Sequence, residues 1–467
     1  MLKKNLYIVV EHKNREFVSQ VLLSTFAIKK GLRVYLGNYR GIFKLLSLKK
    51  KKSGLLMMKG GLNENLTKLI KKKCDKYIIL DQEISPGYRK NFYNNWVSDR
   101  FLRQTIRYID LYCCLNDSIF EASNKNKAFK KEKINLFKSG WPRVDTWLPI
   151  FENFYKKEVK LIKKKYKNFI LFSSDFGVTS KEDFEEELRR IPWGTKKNDI
   201  QKIKKKNLLH AKKQYIEYKK FISFLKKIDR SSKCPKILVR SHPGESLKGW
   251  QNDLNNLKNI LYIKPSESID PYIYACEGFL HRGTTTAYQA ILANKPLAFI
   301  YLDKHVNQIH LNKPNLMKES KIIKDPKKFL LWSQKVIKKK NTKFTVSKNI
   351  INELNLNEGY SSKILIDKLY SLDCVKDERI KYKFLEITTK GKIIYKVKNT
   401  IKSILDYFSP NKKIIFNEFK VKKLDNGIQS KEIKSTINKF NILLKLNINS
   451  KVHVNQISEN VVEIETI

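Results

Sequence analysis

Short apolar runs alternate with charged segments of helical period along most of this chain. Leu6 to Val10 reads as a strand, Arg15 to Lys30 as an amphipathic helix ended by Gly31, and Arg33 to Leu36 as a second strand closed by Gly37. Leu55 to Met58 follows, ending in Lys59-Gly60-Gly61, and Tyr77 to Leu80 delivers Asp81-Gln82-Glu83. Asp110 to Cys114 and Lys133 to Lys138 complete this half. The rhythm resumes with a strand at Asn168 to Phe172, a long charged helix from Ile200 to Lys227, and strands at Ile237, Leu261, Phe279 and Leu297 to Tyr301. Helices at Pro326 to Lys338 and Tyr360 to Tyr370 close the second half. Strand, helix, strand at this spacing predicts parallel sheets with helices on both faces. The expected architecture is α/β: two Rossmann-like, doubly wound domains facing a cleft, over residues 1–150 and 160–372. They join near Trp141-Pro142-Arg143-Val144-Asp145.

Residues 375–467 differ, being polar and rich in Lys and Asn. Their one strong pattern puts Ile394, Val397, Ile401, Ile404, Leu405 and Phe408 on one helical face among lysines. Such a helix can lie on an anionic membrane; docking on its own domain leaves the same stripe and is the preferred reading. The rest of this basic extension is expected to be a small appended module or partly disordered.

Composition changes the picture less than it first suggests. With 467 residues and a net charge of +51, the chain invites a nucleic-acid or membrane partner. Lys, Asn and Ile are inflated together throughout, however, as an AT-rich genome produces, and the Lys runs fall between apolar segments. No nucleic-acid module accompanies them, so none is expected as a partner. The six cysteines show no paired spacing and suit reduced, buried thiols. The start is a first strand, too short for a signal peptide, and no window is long and apolar enough to span a bilayer. The expected location is cytoplasmic, with peripheral contact at the inner membrane as the further option.

Candidate chemistry gathers where strands end. Arg240 and His242 follow one strand; His281, Arg282 and Gly283-Thr284-Thr285-Thr286 follow another and open a helix. Ligands of parallel sheets bind beyond the carboxyl ends of the strands. Helix starts favour phosphate, and arginine holds phosphate oxygens in a fork. This reads as a diphosphate site, although a strand end and a Pro turn with His242 bonded to backbone would look alike. Ser174, after the first strand of the second half, is expected on the same phosphate, against the competing reading of an Asp-capped helix start. Only 14 of the 96 cationic residues are Arg, yet Arg143, Arg240 and Arg282 all fall in candidate motifs. Glu83 and Asp81 are the carboxylates placed to deprotonate an acceptor, with His242 as a further catalytic candidate; helix capping explains Asp-x-Glu equally well. Glu11, His12, Arg15 and Arg143 are expected on the acceptor side, with Arg15 and Glu16 pairing on a helix surface as the alternative. No Asp-x-Asp dyad follows a strand, so metal-independent chemistry is expected.

The chain resembles bacterial surface-carbohydrate biosynthesis proteins of the GT-B type, relatives of the Kdo and polyglycerol-phosphate transferases. The resemblance runs over roughly residues 5–370. It rests on Glu11-His12-Lys13-Asn14-Arg15-Glu16, Leu80-Asp81-Gln82-Glu83, Ser139-Gly140-Trp141-Pro142-Arg143-Val144-Asp145 and Phe172-Ser173-Ser174-Asp175-Phe176-Gly177. It continues through Arg240-Ser241-His242-Pro243-Gly244-Glu245, Trp250 and His281-Arg282-Gly283-Thr284-Thr285-Thr286. It implies transfer of a sugar, or in some branches a glycerol phosphate, from a nucleotide donor on the second domain to a glycan or lipid-linked glycan acceptor on the first. The fold also serves nucleotide-sugar epimerases, and a non-catalytic assembly factor is a third class. Gln289 and Asn294 stand where many such proteins carry a ribose-binding Glu and a Gly. Gln289 is therefore the expected, uncharged ribose contact.

Overall fold

In the computed structural model the described residues are 2–49, 51–62, 64–83, 85–101, 103–191, 197–264, 266–302, 313–338, 346–356, 359–380, 427–448 and 450–467. Two sheets result. The first contains β1 (Asn5–Val9), β2 (Arg33–Gly37), β3 (Leu55–Met58), β4 (Lys76–Leu80), β5 (Leu111–Cys114) and β6 (Asn135–Lys138). The second contains β7 (Phe169–Ser173), β8 (Lys236–Arg240), β9 (Ile260–Ile263), β10 (Gly278–His281), β11 (Leu297–Ile300) and β12 (Ser320–Ile323). These strands are parallel throughout, with Leu6 opposite Val34 and Leu55, and Phe172 opposite Val239 and Leu280. Helices cover both faces, which is why β1, β3 and β7 are continuous apolar runs with every residue buried.

Strand order decides where a ligand can sit. In the first sheet β2 lies on one side of β1 and β3 to β6 lie on the other; in the second, β7 separates β8 and β9 from β10 to β12. Each order reverses at one central strand, and the loops leaving there splay apart to open a crevice. The loops after β1, β3 and β7 are therefore the ones the topology exposes to a ligand.

The described C-terminal residues pack on the first domain. Residues 427–467 include a helix, Ser430–Leu443, which packs on helix Lys13–Lys29. The hairpin β13 (Val452–Ser458) and β14 (Val461–Thr466) then extends the first sheet, β14 lying antiparallel to β2. Arg33 on β2 sits between two carboxylates of β14, 3.0 Å from Glu465 and 3.8 Å from Glu463, and Tyr35 donates to Glu463 at 3.0 Å. Burying those charges is tolerable because they are paired and hydrogen-bonded. The stripe from Ile394 to Phe408 lies outside the described residues. Among those described, no helix is long and apolar enough to cross a membrane.

Two contacts tie the halves. Asp145 is buried and accepts the amides of Ser361 and Ser362 at 2.9 and 2.7 Å, capping helix Ser361–Ser371, which packs against helix Lys13–Lys29. Gly140, at φ +66°, lets that helix start approach, since a Cβ there would strike the Ser361 hydroxyl. Behind the second sheet, Phe172, Phe176, Tyr218, Phe221 and Trp250 form a continuous aromatic core under the long helix Ile200–Asp229.

Candidate functional site

The carboxyl ends of both sheets face one cleft, bridged by several cross-domain bonds. Asn14 donates to the Ser266 carbonyl at 2.6 Å, Thr285 to the Ser85 hydroxyl at 2.9 Å, and Tyr155 to Asp270 at 3.0 Å.

On the first-domain wall the loops after β1, β3 and β4 supply a compact ion cluster. Glu16 turns back from helix Lys13–Lys29 to accept the amides of Glu11 and His12 at 3.0 and 3.5 Å, so His12 enters as the residue before the helix. The Lys59 ammonium lies 3.1 Å from Glu11 and 2.8 Å from Glu16 and also pairs with Glu83. Arg15 pairs with Glu16 at 3.2 Å and with Glu83. The carboxylates of Glu11, Glu16 and Glu83 come within 4.8 Å of one another, a spacing that could hold a cation, and Lys59 bridges all three. Burial alone would raise the Glu83 carboxyl, but Arg15 and Lys59 prevail and hold it at about 2. Glu83 is thus ionised and weakly basic, unlike the tuned base expected of it.

Asp81 departs further from the expectation of a catalytic carboxylate. It is buried and accepts from Arg100 at 2.7 and 3.0 Å, from the Trp96 indole at 3.2 Å and from the Glu83 amide at 3.1 Å. All four bonds serve to set the turn that presents Glu83.

On the second-domain wall, Arg240 and His242 leave β8. Arg240 is buried and donates to the Glu267 carbonyl at 2.9 Å, and desolvation lowers its pKa. Desolvation also lowers that of His242, with Arg15 and Arg240 adding repulsion against the pull of Asp175. The Gly244 amide donates to His242 Nδ1 at 3.1 Å. A neutral His242 therefore carries its proton on Nε2. Arg143, in the turn joining the sheets, stacks on Trp147 at 5.4 Å; it makes no ion pair, and its Nε has no partner, among the described residues. Burial and the nearby Arg15 depress it to about 10. Arg15 thus acts electrostatically on both Arg143 and His242, and Arg240 acts on His242.

The other phosphate candidates are used to build these walls. His281 is fully buried, with Nδ1 accepting the Gly283 amide at 3.1 Å and Nε2 3.0 Å from the Ser320 hydroxyl. Arg282 is buried, pairs with Glu217, lies 3.5 Å from Asp175 and stacks on Phe176 at 3.9 Å. Ser174 gives its hydroxyl to Glu245 at 2.7 Å, and the buried Gln289 amide donates to Asp270. Each of these four, Gln289 being the expected ribose contact, is already bonded within the protein. In the Gly283-Thr284-Thr285-Thr286 turn, the hydroxyls of Thr284 and Thr286 lie 3.3 Å apart and all three threonines are half-buried. That turn still borders the cleft.

Three residues of the cleft went unassigned from sequence. Glu245 is buried and takes four donors: Ser174 and Gly177 on one oxygen at 2.7 and 3.1 Å, His242 and Trp250 on the other at 3.0 and 2.8 Å. It joins the loops after β7 and β8, and burial pushes its carboxyl up to about 7 against those donors. Lys313 is buried between the walls, donating to Ser85 at 2.9 Å and to the Gly283 carbonyl at 2.7 Å. Its position over the Tyr88 ring, 4.7 Å away, and the lack of a bonded carboxylate among its described contacts leave desolvation in control, and its pKa falls to about 8. Lys59 and Glu245 could have been found, since one follows β3 directly and the other closes the Arg240-to-Glu245 stretch after β8; Lys313 carries no comparable local signal.

The fold these strands define is that of two facing doubly wound sheets, the GT-B arrangement. No protein-family model matches the chain, and no curated protein matches it. Among solved structures it is similar to the UDP-GlcNAc 2-epimerase of Methanocaldococcus jannaschii in complex with UDP-GlcNAc and UDP, at 14% identity and a TM-score of 0.42, over 78% of this chain and 99% of that one. The UDP-GlcNAc 2-epimerase of Neisseria meningitidis bound to UDP-GlcNAc gives 13% and 0.41 over 78% and 99%. A variant of the wall teichoic acid polymerase TagF gives 11% and 0.43 over 79% and 88%.

Proposed function

We propose that the chain is a glycosyltransferase that moves a sugar from a nucleotide-sugar donor to a bacterial surface-polysaccharide or lipopolysaccharide acceptor. One observation carries the reading: Arg15 acts electrostatically on Arg143 and His242, and Arg240 on His242, where two doubly wound sheets face each other. Glycosyl transfer from such a donor leaves a diphosphate, and the reaction is accelerated by groups that bind the charge developing on it. Guanidinium groups do this without a metal, and Arg143, half-buried and without an ion pair among the described residues, would gain from an arriving anion. The acceptor then lies against the first domain. Glu83 receives a hydrogen bond from the acceptor hydroxyl and orients it, and the proton released as the glycosidic bond forms passes to the departing diphosphate.

The grouping of Glu11, Glu16 and Glu83 within 4.8 Å favours a second reading, a nucleotide-sugar epimerase that works on the bound sugar without an acceptor.

Calorimetric titration with CDP, UDP, GDP and dTDP tests the donor site. Each charge-assisted hydrogen bond contributes about 1.5–3 kcal/mol, so Arg240→Ala/His242→Ala should weaken the preferred nucleotide by about a hundredfold or more. A folded wild-type protein that binds none of them would sink both enzymatic readings and favour the assembly factor.

A further inference from the structure

The long helix Ile200–Asp229 buries Tyr218, Phe221, Phe224, Leu225 and Ile228 behind the second sheet. Its other side faces solvent along most of its 30 residues, about 45 Å of helix. That outer side is almost wholly cationic. Adjacent lysine pairs begin at Lys205, Lys212, Lys219 and Lys226, and all eight lysines are exposed. Seven residues are close to two turns, so a pair repeated at that interval returns to the same side with only about 20° of drift each time. Between the pairs, on the same line, stand Leu209 and Ile216, 54% and 53% exposed. Helix Pro326–Lys338 lies alongside, with Phe329 edge-on to Phe224 at 5.8 Å. It repeats the pattern: Leu331 is 54% exposed, beside the exposed Lys327, Lys328 and Lys335.

Composition makes lysine common in this chain, but it neither spaces lysine pairs by seven residues nor keeps acids away from them. The one acidic residue between Ile200 and Ile228 is Glu217, which is buried and pairs with Arg282, and helix Pro326–Lys338 contains none. Neighbouring elements answer only some of the charge, with Asp253 at 3.2 Å from Lys219 and Asp325 at 3.8 Å from Lys328.

We propose that this two-helix face docks on the surface of an anionic phospholipid bilayer. Lysines held near lipid phosphates add their attractions. The protruding apolar side chains select a bilayer over a nucleic acid. Beside a phosphate backbone Leu209, Ile216 and Leu331 gain nothing, whereas at the boundary of headgroups and acyl chains their surface leaves water. No exposed residue of either helix is aromatic, so bases find no ring to stack on. A second copy of the same face is repelled by its charge. The inference stands apart from the reaction performed in the cleft.

Co-sedimentation of the full chain with vesicles, either phosphatidylcholine alone or phosphatidylcholine mixed with phosphatidylglycerol, tests the surface. Wild type should bind the mixed vesicles, ignore the neutral ones, and come off as salt is raised. Lys205→Gln/Lys206→Gln/Lys212→Gln/Lys213→Gln should weaken binding by about a hundredfold or more, roughly fivefold for each lysine held near the headgroups. Leu209→Gln/Ile216→Gln leaves the charge unchanged and should weaken binding by about tenfold or more. Lys125, Lys127, Lys130 and Lys131 of the first domain are equally exposed, and changing these four to glutamine should leave binding close to wild type. Arginine at positions 205, 206, 212 and 213 keeps the charge and should keep the binding, which separates lost charge from a lost fold. Failure of wild type to bind the mixed vesicles, equal binding to neutral ones, full binding by the glutamine variant, or an equal loss in the first-domain control would each overturn the proposal. So would lysine-dependent binding of single-stranded RNA that the Leu209→Gln/Ile216→Gln variant retains in full while vesicles are ignored, which marks a nucleic-acid surface.

Discussion

Replacing Glu245 with glutamine tests how the loops after β7 and β8 are held. All four partners of this carboxylate are donors, two on each oxygen. Glutamine matches it in size but has a single acceptor oxygen. Whichever way the amide turns, its NH2 meets two donors, either Ser174 with Gly177 or His242 with Trp250. The Ser174 hydroxyl can rotate to accept, so the least costly orientation leaves the Gly177 amide unmatched, a loss of about 2 kcal/mol. For units of this size that corresponds to a fall in melting temperature of roughly 4–8 °C. Scanning calorimetry at pH 8, where the carboxyl is ionised, reads the loss directly. Nucleotide affinity should fall with it, because the His242 amide hangs on the same carboxylate. A Glu245→Gln protein that melts within about 2 °C of wild type and binds nucleotide normally would refute the reasoning.

Lys313 should govern alkaline stability. Its folded pKa of about 8 lies below the ordinary 10.5, so between those values the unfolded chain binds the extra proton and stability rises with pH. Urea midpoints for wild type minus Lys313→Met should therefore climb by about 3 kcal/mol across this window, and a flat difference would contradict the burial argument. His242, neutral near pH 7, should gain charge on acidification, so nucleotide affinity should strengthen as pH falls below the usual histidine range. Calorimetry on His242→Gln should lose that dependence. Gly140→Ala should destabilise by more than about 1 kcal/mol, since it forces a Cβ at φ +66° against Ser361, and a thermal melt checks it.

The strands were legible because both faces of each sheet are covered, leaving uninterrupted apolar runs such as those at β1, β3 and β7. The direction of a side chain at a strand end was not. Arg240 and Arg282 follow strands in the same way, yet Arg282 meets Glu217 on a helix far along the chain. Gln289 meets Asp270 for the same reason. Pairing of this kind depends on tertiary packing and leaves no local spacing to read. The C-terminal hairpin did leave a signal. In β14 the alternation of Glu463, Ile464 and Glu465 after the turn at Glu459-Asn460 has the period of a strand, but the acidic residues read as surface until Arg33 is placed between them.

The central claim is sugar transfer. The most direct measurement is mass spectrometry of the products formed from CDP-, UDP-, GDP- and dTDP-sugars, each incubated with and without a glycan acceptor. The account predicts that free nucleoside diphosphate appears together with an acceptor one sugar heavier, and only when both substrates are present. Conversion of the donor sugar to an isomer with no acceptor present would contradict it and select the epimerase.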